Sequence, residues 1–273
     1  MKLSWAISLL EKSGVPDADY DARELFAHFG GFKKSELYAF DCESDSEALA
    51  LAVSRRAERE PLQYIIGEVG FYAETYRVTP DCLIPRADTE ALVEYAVKNI
   101  PAGERFIDVC TGSGAIGIST LLHTKGTRAV LLDISPEALS LAGENATRNG
   151  VSDRVELKLA DALDEAAAGE FFAVLSNPPY ISEDEYNTLE KEIFFEPRLA
   201  FVAEKGGIAF YERLTELYKN KIKEGGFIAY EIGYNQREEL ERIARENGMA
   251  LELVKDLGGV DRVAVLRQGR ALQ

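Results

Sequence analysis

The sequence predicts an α/β fold with a mostly parallel, seven-stranded sheet covered by helices on both faces, preceded by a small helical domain. From about residue 86 onward, strand-type and helix-type segments alternate, which favours parallel strands joined by helical crossovers. Before about residue 60, apolar residues recur at helical spacing instead. A chain of 273 residues that is 46% hydrophobic has enough apolar material for a main domain and a smaller one.

The first 66 residues predict a helical bundle. The apolar residues that recur at helical spacing are Trp5, Leu9, Leu10, Leu25, Phe26, Phe29, Leu49, Val53 and Ala57. Gly14-Val15-Pro16 and Gly30-Gly31 separate the helices. Between residues 67 and 85, strand-type residues such as Phe71, Tyr76 and Val78 predict a β-hairpin that links the two domains.

Residues 86–273 form the predicted main domain. The expected strands are 105–110, 128–133, 154–160, 171–176, 227–231, 251–255 and 262–266, and the expected helices are 115–123, 136–149, 208–224 and 236–246. Only six residues, Asp256 to Asp261, separate the last two strands, which is too few for a crossover helix. We therefore expect these two strands to form an antiparallel hairpin at the edge of the sheet.

Composition narrows the classes of function. With 31 basic and 47 acidic residues, the net charge is −16, which disfavours direct binding to phosphate backbones and is compatible with a basic protein partner. The three cysteines, Cys42, Cys82 and Cys110, are far apart and predict neither disulfides nor a metal site. The apolar stretch from Leu3 to Leu10 is too short for a signal sequence or a membrane span, so we expect a soluble, cytoplasmic protein.

A glycine loop follows the first strand of the main domain, where open sheets bind nucleotide-like ligands. It runs from Asp108 to Gly114 and continues into a helix; Gly112 and Gly114 allow a tight turn and the close approach of a ligand. Residues 112–117 also satisfy the G-x-G-x-x-G pattern of dinucleotide sites. The loop alone therefore leaves a dinucleotide and S-adenosylmethionine open.

Three carboxylates near the loop bear on that choice. Asp133, at the end of the second strand, is placed to accept both ribose hydroxyls of either ligand. Asp108 favours S-adenosylmethionine, because a carboxylate attracts the cationic amino group of the methionine part and repels a pyrophosphate. Asp161 is a candidate acceptor for the adenine amino group, with Ala162 beside the ring, or alternatively the N-cap of a helix over residues 162–168.

A second motif, Asn177-Pro178-Pro179-Tyr180, follows the fourth strand at the same edge of the sheet. The side-chain carbonyl of Asn177 and the main-chain carbonyl of Pro178 could accept the two N–H bonds of a planar amide or amino group. The prolines stiffen the segment, and Tyr180 can lie flat against that group. The motif predicts methyl transfer to a planar nitrogen, mainly by orientation; a simple turn is the alternative.

The whole chain resembles the protein-(glutamine) methyltransferases of the PrmC/HemK family. Besides the glycine loop, Asp133 and Asn177–Tyr180, the stretches that carry the resemblance are Pro61 to Gly67, Leu83 to Glu90 and Glu196 to Ala200. The resemblance implies a Rossmann-like, seven-stranded S-adenosylmethionine-dependent methyltransferase sheet with no metal. It also implies that the substrate is the glutamine of the Gly-Gly-Gln motif in class I peptide-chain release factors, and that the N-terminal domain helps to dock the factor.

The resemblance also implies site residues. Those expected to bind the cofactor are Cys110, Thr111, Gly112, Ser113, Gly114, Asp133, Asp161, Ala162 and Asn177, whereas Asn177, Pro178, Pro179 and Tyr180 hold the substrate glutamine. Cys110 stands where the family more often has glycine, which puts the backbone of the loop at that residue in question. Arg86, Asp88, Thr89 and Glu90 are expected at the mouth of the site, although Asp88 could instead cap the following helix.

Two other functions remain open from the sequence. The Asn-Pro-Pro-Tyr motif is shared with adenine and cytosine amino methyltransferases, which act on a base flipped out of its stack. The charge and the lack of a basic, aromatic surface disfavour that reading. The other alternative is a cofactor-binding protein without catalysis.

Overall fold

The computed structural model of the chain describes residues 1–256 and 258–269. Leu257, in the predicted connection of the edge hairpin, and residues 270–273, at the end of the predicted main domain, lie outside the described residues. The chain divides into two compact units, Met1–Glu68 with Glu190–Phe195, and Val69–Leu189 with Glu196–Gln273. No helix in the described part is long and apolar enough to cross a membrane.

The N-terminal unit is helical. Its helices are α1 (Leu3–Lys12), α2 (Ala18–Phe29), α3 (Lys34–Ala39), α4 (Glu47–Ala57) and α5 (Leu62–Ile66). The buried stripe of α1 consists of Leu3, Ala6 and Leu10, spaced three and four residues apart. Trp5 belongs to the apolar pattern of the sequence but lies off this stripe, and 55% of its surface is exposed.

A buried ion cluster also stabilises the N-terminal unit. Arg56, on α4, pairs with Asp21 of α2 at 2.6 Å and with Glu192 at 2.9 Å. Arg59 pairs with the same Glu192 at 2.5 Å. Because a buried charge is costly unless it is paired, Glu192 binds the segment Glu190–Phe195 into this unit.

The second unit is an α/β domain that begins with a small hairpin. Its strands are β1 (Glu68–Phe71), β2 (Glu74–Arg77), β3 (Arg105–Val109), β4 (Arg128–Asp133), β5 (Val155–Leu159), β6 (Phe171–Ser176), β7 (Ile222–Glu231), β8 (Met249–Lys255) and β9 (Asp261–Gln268). Its helices are α6 (Glu90–Asn99), α7 (Ala115–His123), α8 (Pro136–Arg148), α9 (Glu183–Tyr186), α10 (Ile208–Tyr218) and α11 (Arg237–Glu246).

The seven-stranded sheet has the order β5-β4-β3-β6-β7-β9-β8. All neighbours from β5 to β7 are parallel, whereas β9 is antiparallel to both β7 and β8. Central strands are buried on both faces, as Phe106 and Ile107 of β3 illustrate, because helices cover a parallel sheet on both sides. The predicted fold class, including the antiparallel edge hairpin, is confirmed.

Two boundaries of the prediction were wrong around β7. The helix expected to reach Glu224 ends at Tyr218, and the strand expected to begin at Phe227 begins at Ile222. Ile222 is buried and pairs with Phe171 across a register shift in the sheet. Tertiary burial therefore overrides the helical propensity of the lysines and glutamates in this stretch.

The parallel register brings the carboxyl ends of four strands to one edge. Val109 of β3 lies opposite both Leu132 of β4 and Ser176 of β6. Ser176 in turn lies opposite Tyr230 of β7. The residues that follow these strands therefore leave the sheet side by side.

Gly117, on the buried face of α7, provides a test of how closely this helix packs on the sheet. A Cβ atom at residue 117 would lie 2.3 Å from Cδ2 of Leu131 and 3.1 Å from Oδ2 of Asp108. We expect Gly117→Ala to lower the free energy of unfolding by about 1–3 kcal/mol, since a close-packed core has no room for a methyl group. Urea denaturation followed by circular dichroism measures this change.

Gly143→Ala is the matched control, because Gly143 is also helical but would meet only the tip of the half-exposed Leu157 side chain, at 3.0 Å. We expect it to leave stability unchanged or to raise it by up to about 1 kcal/mol. Equal losses in both variants would contradict the packing argument.

Candidate active site

A cavity of about 520 Å³ lies at the carboxyl edge of the sheet, within the second unit. The predicted site residues that line it are Cys110, Thr111, Gly112, Ser113, Asp133, Asp161, Ala162, Asn177 and Pro179. The other predicted residues, Asp108, Gly114, Pro178 and Tyr180, are not among its lining residues. The structure thus brings the glycine loop and the Asn-Pro-Pro-Tyr segment to one cavity.

The glycine loop turns through left-handed backbone at Cys110, Gly112 and Gly114, with φ angles of 60°, 54° and 83°. Glycine adopts these angles without strain, whereas a residue with a Cβ atom does so at a cost. Cys110 therefore keeps the backbone that a glycine would have at this residue. Burial raises the pKa of its thiol well above the usual value, so the thiol stays protonated.

Asp133, at the end of β4, connects the glycine loop to the next loop. Its Oδ2 accepts a hydrogen bond from the Gly112 amide at 2.8 Å, and its Oδ1 accepts one from the Ser135 amide at 3.0 Å. Each carboxylate oxygen can accept more than one hydrogen bond, so Asp133 keeps acceptor capacity towards the cavity that it lines. This arrangement fits a ligand with vicinal hydroxyls.

Asp108 lies deeper than the sequence suggested. It is fully buried, and its Oδ2 accepts hydrogen bonds from the Thr111 hydroxyl at 2.6 Å and the Gly117 amide at 2.9 Å. Its Oδ1 has no hydrogen-bond partner among the described residues. The carboxylate therefore holds the glycine loop in shape and leaves one buried acceptor that a cationic donor would satisfy.

Asp161 follows β5 and forms a turn. Its Oδ1 accepts a hydrogen bond from the Leu163 amide at 2.8 Å. No helix forms over residues 162–168, so the alternative in which Asp161 caps such a helix was wrong. The alanines there favour a helix, but the side-chain bond of Asp161 closes a local turn instead.

The Asn-Pro-Pro-Tyr segment begins directly after β6. The Asn177 Nδ2 lies 3.4 Å from the hydroxyl oxygen of Thr89, to which it donates. The Tyr180 hydroxyl donates to Oε1 of Glu231 at 3.1 Å. Both ends of the tetrapeptide are therefore held by side-chain hydrogen bonds.

The mouth of the cavity combines two segments that are distant in the sequence. Glu196, which is buried, accepts a hydrogen bond from the Ile84 amide at 2.8 Å and pairs with Arg86. Burial raises the pKa of Glu196, and the Arg86 guanidinium counters that shift. Pro85 and Pro197, the neighbours of these residues, line the cavity.

The other residues expected at the mouth have different roles. Thr89 lines the cavity, whereas Glu90 accepts a hydrogen bond from the Tyr72 amide. Asp88 pairs with Arg262 at 3.0 Å. The interpretation of Asp88 as a helix N-cap was wrong, because α6 begins at Glu90 after a short 3-10 turn and no side chain caps it.

Glu231 and Gln236 were missed in the sequence. Glu231 ends the apolar run of β7 as Asp133 ends that of β4, so an acidic residue at the end of a buried strand was an available signal. Gln236 had no such signal, because its contacts depend on the fold of the loop before α11. Among the described residues, no group of histidines, cysteines or carboxylates could hold a metal ion.

Asp108 makes stability depend on pH. Burial raises the pKa of Asp108 to about 7, against roughly 4 in an unfolded chain. The folded protein therefore binds this proton more tightly, and the resulting stabilisation is lost as the pH rises from about 4 to about 7. Between pH 5 and pH 8, we expect the wild type to lose about 2 kcal/mol more free energy of unfolding than the Asp108→Asn variant, which lacks the titrating carboxyl group.

Urea denaturation at the two pH values measures this difference. Asp184→Asn, which alters an exposed carboxylate on α9, is the control and should follow the wild type. The same pH dependence in the wild type and in Asp108→Asn would refute the raised pKa of Asp108 as its cause.

Cys110 allows the cost of its left-handed backbone to be measured. Cys110→Gly and Cys110→Ala both remove the thiol, but only the glycine relieves the φ of 60°. We expect the glycine variant to unfold with a free energy about 1 kcal/mol higher than that of the alanine variant. Thermal or urea denaturation compares them directly, and a more stable alanine variant would be incompatible with the strain.

Comparison with known proteins places the chain in a family. Residues 2–67 match the model described as PrmC N-terminal domain, and residues 87–224 match the model described as methyltransferase small domain.

Two solved structures share the fold: a methyltransferase from Pyrococcus furiosus and a ribosomal protein L11 methylase from Lactobacillus delbrueckii subsp. bulgaricus. The first has a TM-score of 0.53 at 18% identity and covers 71% of this chain and 89% of its own. The second has a TM-score of 0.52 at 20% identity, covering 71% and 85%.

Relatives that align with almost the whole chain have higher sequence identity than these two solved structures. The release factor glutamine methyltransferase of Fusobacterium nucleatum subsp. nucleatum is 35% identical over 96% of this chain and 77% of its own length. That of Geobacter sulfurreducens is 33% identical over 98% and 95%, and that of Chlorobaculum tepidum is 32% identical over 95% and 94%. The similarity extends over both units, and the chain belongs to the release factor glutamine methyltransferase family.

Proposed function

We propose that this protein methylates the side-chain amide nitrogen of the glutamine in the Gly-Gly-Gln motif of class I release factors, using S-adenosylmethionine. The observation that carries the proposal is that Asn177 and Pro179, from the Asn-Pro-Pro-Tyr segment, line the same cavity as the glycine loop. Full-length similarity to release factor glutamine methyltransferases supports the choice of substrate.

The residues around the cavity fit S-adenosylmethionine. The carboxylate of Asp133, which lines the cavity, would accept the ribose hydroxyls. Asp108 does not line the cavity, but its Oδ1 has no partner among the described residues and would accept from a cationic amino group placed against the glycine loop. Asp161 and Ala162 line the cavity, where they would meet the adenine. When bound, the cofactor would supply the methyl group and, through its sulfonium charge, the driving force: an S–CH3 bond is exchanged for an N–CH3 bond, S-adenosylhomocysteine is released, and the amide nitrogen loses one proton to solvent.

The role of the protein is orientation. Because the Asn177 Nδ2 is engaged by Thr89, its side-chain carbonyl is left to accept an N–H of the substrate amide. The main-chain carbonyl of Pro178 would accept the second N–H, and Tyr180 would lie against the amide plane. Holding both N–H bonds directs the face of the nitrogen towards the methyl donor, which lowers the entropic part of the barrier.

We propose that the N-terminal unit docks the release factor. This unit matches the PrmC N-terminal domain model and carries exposed large side chains, including Tyr38, Phe40 and Leu51. Exposed aromatic residues are typical of protein interfaces, where they contribute much of the binding energy. The net charge of −16 is better suited to a basic protein surface than to nucleic acid.

Mass spectrometry of a release factor incubated with the protein and S-adenosylmethionine tests the proposal. We expect one added methyl group on the glutamine of the Gly-Gly-Gln motif. We expect Asn177→Ala to lower kcat at least about 100-fold, since a misplaced amide loses the orientation effect. Its affinity for S-adenosylmethionine, measured by calorimetry, should fall far less than kcat, because Asn177 is only one of several residues expected to bind the cofactor.

Asn187→Ala is the matched control, because Asn187 is an exposed amide on the surface of the same unit. It should methylate the factor at the wild-type rate. Methylation of RNA or DNA without methylation of the factor would favour a nucleic-acid amino methyltransferase instead. Unchanged methylation by Asn177→Ala would refute the mechanism.

A further inference from the structure

Two side chains, one at the end of β7 and one in the loop before α11, form hydrogen bonds with the Asn177–Tyr180 segment. The sequence there is Glu231-Ile232-Gly233-Tyr234-Asn235-Gln236. Glu231 and Gln236 are both buried, with 2% and 6% of their surfaces exposed. Neither lines the cavity.

The sheet register explains why Glu231 lies near Asn177. Ser176 of β6 and Tyr230 of β7 are partners in the parallel ladder. The next residues along the chain, Asn177, which follows β6, and Glu231, the last residue of β7, therefore lie beside each other. A substitution of Glu231 therefore changes the surroundings of Asn177, the first residue of the tetrapeptide Asn177–Tyr180.

The Glu231 side chain holds the last residue of the tetrapeptide, Tyr180. Its Oε1 accepts the hydrogen bond from the Tyr180 hydroxyl at 3.1 Å. The Thr89 hydroxyl, which accepts from Asn177, counters the burial that raises the pKa of Glu231, but Oε2 of Glu231 has no hydrogen-bond partner among the described residues. One buried carboxylate therefore restrains the Tyr180 ring directly.

Gln236 restrains the main chain of the same segment. Its Nε2 donates to the carbonyl oxygens of Tyr180 at 3.2 Å and Gly206 at 2.6 Å. Its Oε1 accepts from the Gly233 amide at 2.8 Å and from the Tyr211 hydroxyl at 2.9 Å. With four hydrogen bonds, the side-chain amide is saturated and has a single orientation.

Gly207 shows how closely the chain packs here. Its φ is 82°, and an added Cβ atom would lie 2.5 Å from Cα of Tyr180 and 2.6 Å from the Pro179 carbonyl oxygen. The backbone at residues 206–207 therefore lies directly against the second half of the tetrapeptide. Gln236 joins these two backbone segments through the Gly206 and Tyr180 carbonyls.

We propose that Glu231 and Gln236 are positioning residues that set the geometry of the substrate-binding tetrapeptide Asn177–Tyr180. Glu231 fixes the Tyr180 side chain, and Gln236 fixes the carbonyl of Tyr180. The proposal rests on the proposed function, since positioning matters only if this tetrapeptide holds the reacting amide. A site of this kind gains its rate from accurate placement, so loss of either support lowers kcat more than it weakens ligand binding.

The first test separates positioning from simple packing at Glu231. We expect Glu231→Leu to lower kcat for release-factor methylation by about 10-fold or more. Its stability should change little, because removing a buried carboxylate offsets the cost of leaving the Tyr180 hydroxyl without its acceptor. Glu231→Gln keeps an acceptor for the Tyr180 hydroxyl and should recover most of the lost kcat.

Glu252→Gln is the matched control, because Glu252 also accepts a hydrogen bond from a tyrosine, Tyr95, at 2.9 Å but away from the cavity. It should keep the wild-type kcat. A double-mutant cycle with Tyr180→Phe adds a further check. In the Tyr180→Phe background, we expect Glu231→Leu to cost less than about 3-fold, since the bond that it breaks is already absent.

Three outcomes would overturn the role of Glu231. The first is a wild-type kcat in Glu231→Leu, and the second is a fully additive cycle with Tyr180→Phe. The third is a loss in Glu231→Gln as large as that in Glu231→Leu, which would assign the effect to the charge. If Glu231→Leu does not fold, the cycle is run with Glu231→Gln and Tyr180→Phe under the same criterion.

Hydrogen exchange tests Gln236 without depending on catalysis. Gln236→Ala should speed amide exchange at least several-fold in peptides that cover residues 180–181 and 206–207, with no change in the Glu252→Gln control. It should also lower kcat while the Kd for S-adenosylmethionine stays within about 3-fold of the wild type. Unchanged exchange, or faster exchange with a wild-type kcat, would overturn the role of Gln236.

The two proposals fail in different ways. If the wild type methylates no release factor, the proposed function is wrong, and the exchange experiment still reports whether Gln236 holds the tetrapeptide. If the wild type methylates the factor but the variants keep both kcat and exchange rates, only the positioning proposal is wrong.

Discussion

The parallel register of β4, β3, β6 and β7 is the constraint on which the site depends. It aligns Val109, Leu132, Ser176 and Tyr230 at one edge, so that the loops after these strands start within reach of each other. A slip of one residue in any strand would exchange its buried and outward side chains, and the burial of the central strands opposes such a slip. The hydrophobic core therefore determines where the polar groups of the site lie.

Much of this arrangement could be read from the sequence because the signals are local. Buried parallel strands appear as apolar runs, and Asp133 and Asn177 follow them directly. Contacts that join distant segments left no such signal. Neither the pairing of Glu196 with Arg86 nor the four hydrogen bonds of Gln236 can be inferred from spacing, since their partners are brought together only by the folded chain. The depth of Asp108 was also unpredictable, because it depends on how α7 packs over β3.

The site combines groups that a stable core would avoid. Asp108 and Glu231 are carboxylates in an apolar environment, where burial raises the pKa of each. Cys110 occupies a left-handed backbone that suits glycine better. Strain and buried charge at a site are tolerated when the surrounding packing is rigid, and in return they fix the geometry of the groups that meet a ligand.

The ion cluster around Arg56 has a consequence for the order in which the chain folds during synthesis. Asp21, Arg56 and Arg59 emerge from the ribosome early, but their partner Glu192 is made more than 130 residues later. Until then, Arg56 has only one of its two carboxylate partners, Asp21, and Arg59 lacks its partner Glu192. The N-terminal unit therefore reaches its final electrostatic state only after β6 and the Asn177–Tyr180 segment have been translated.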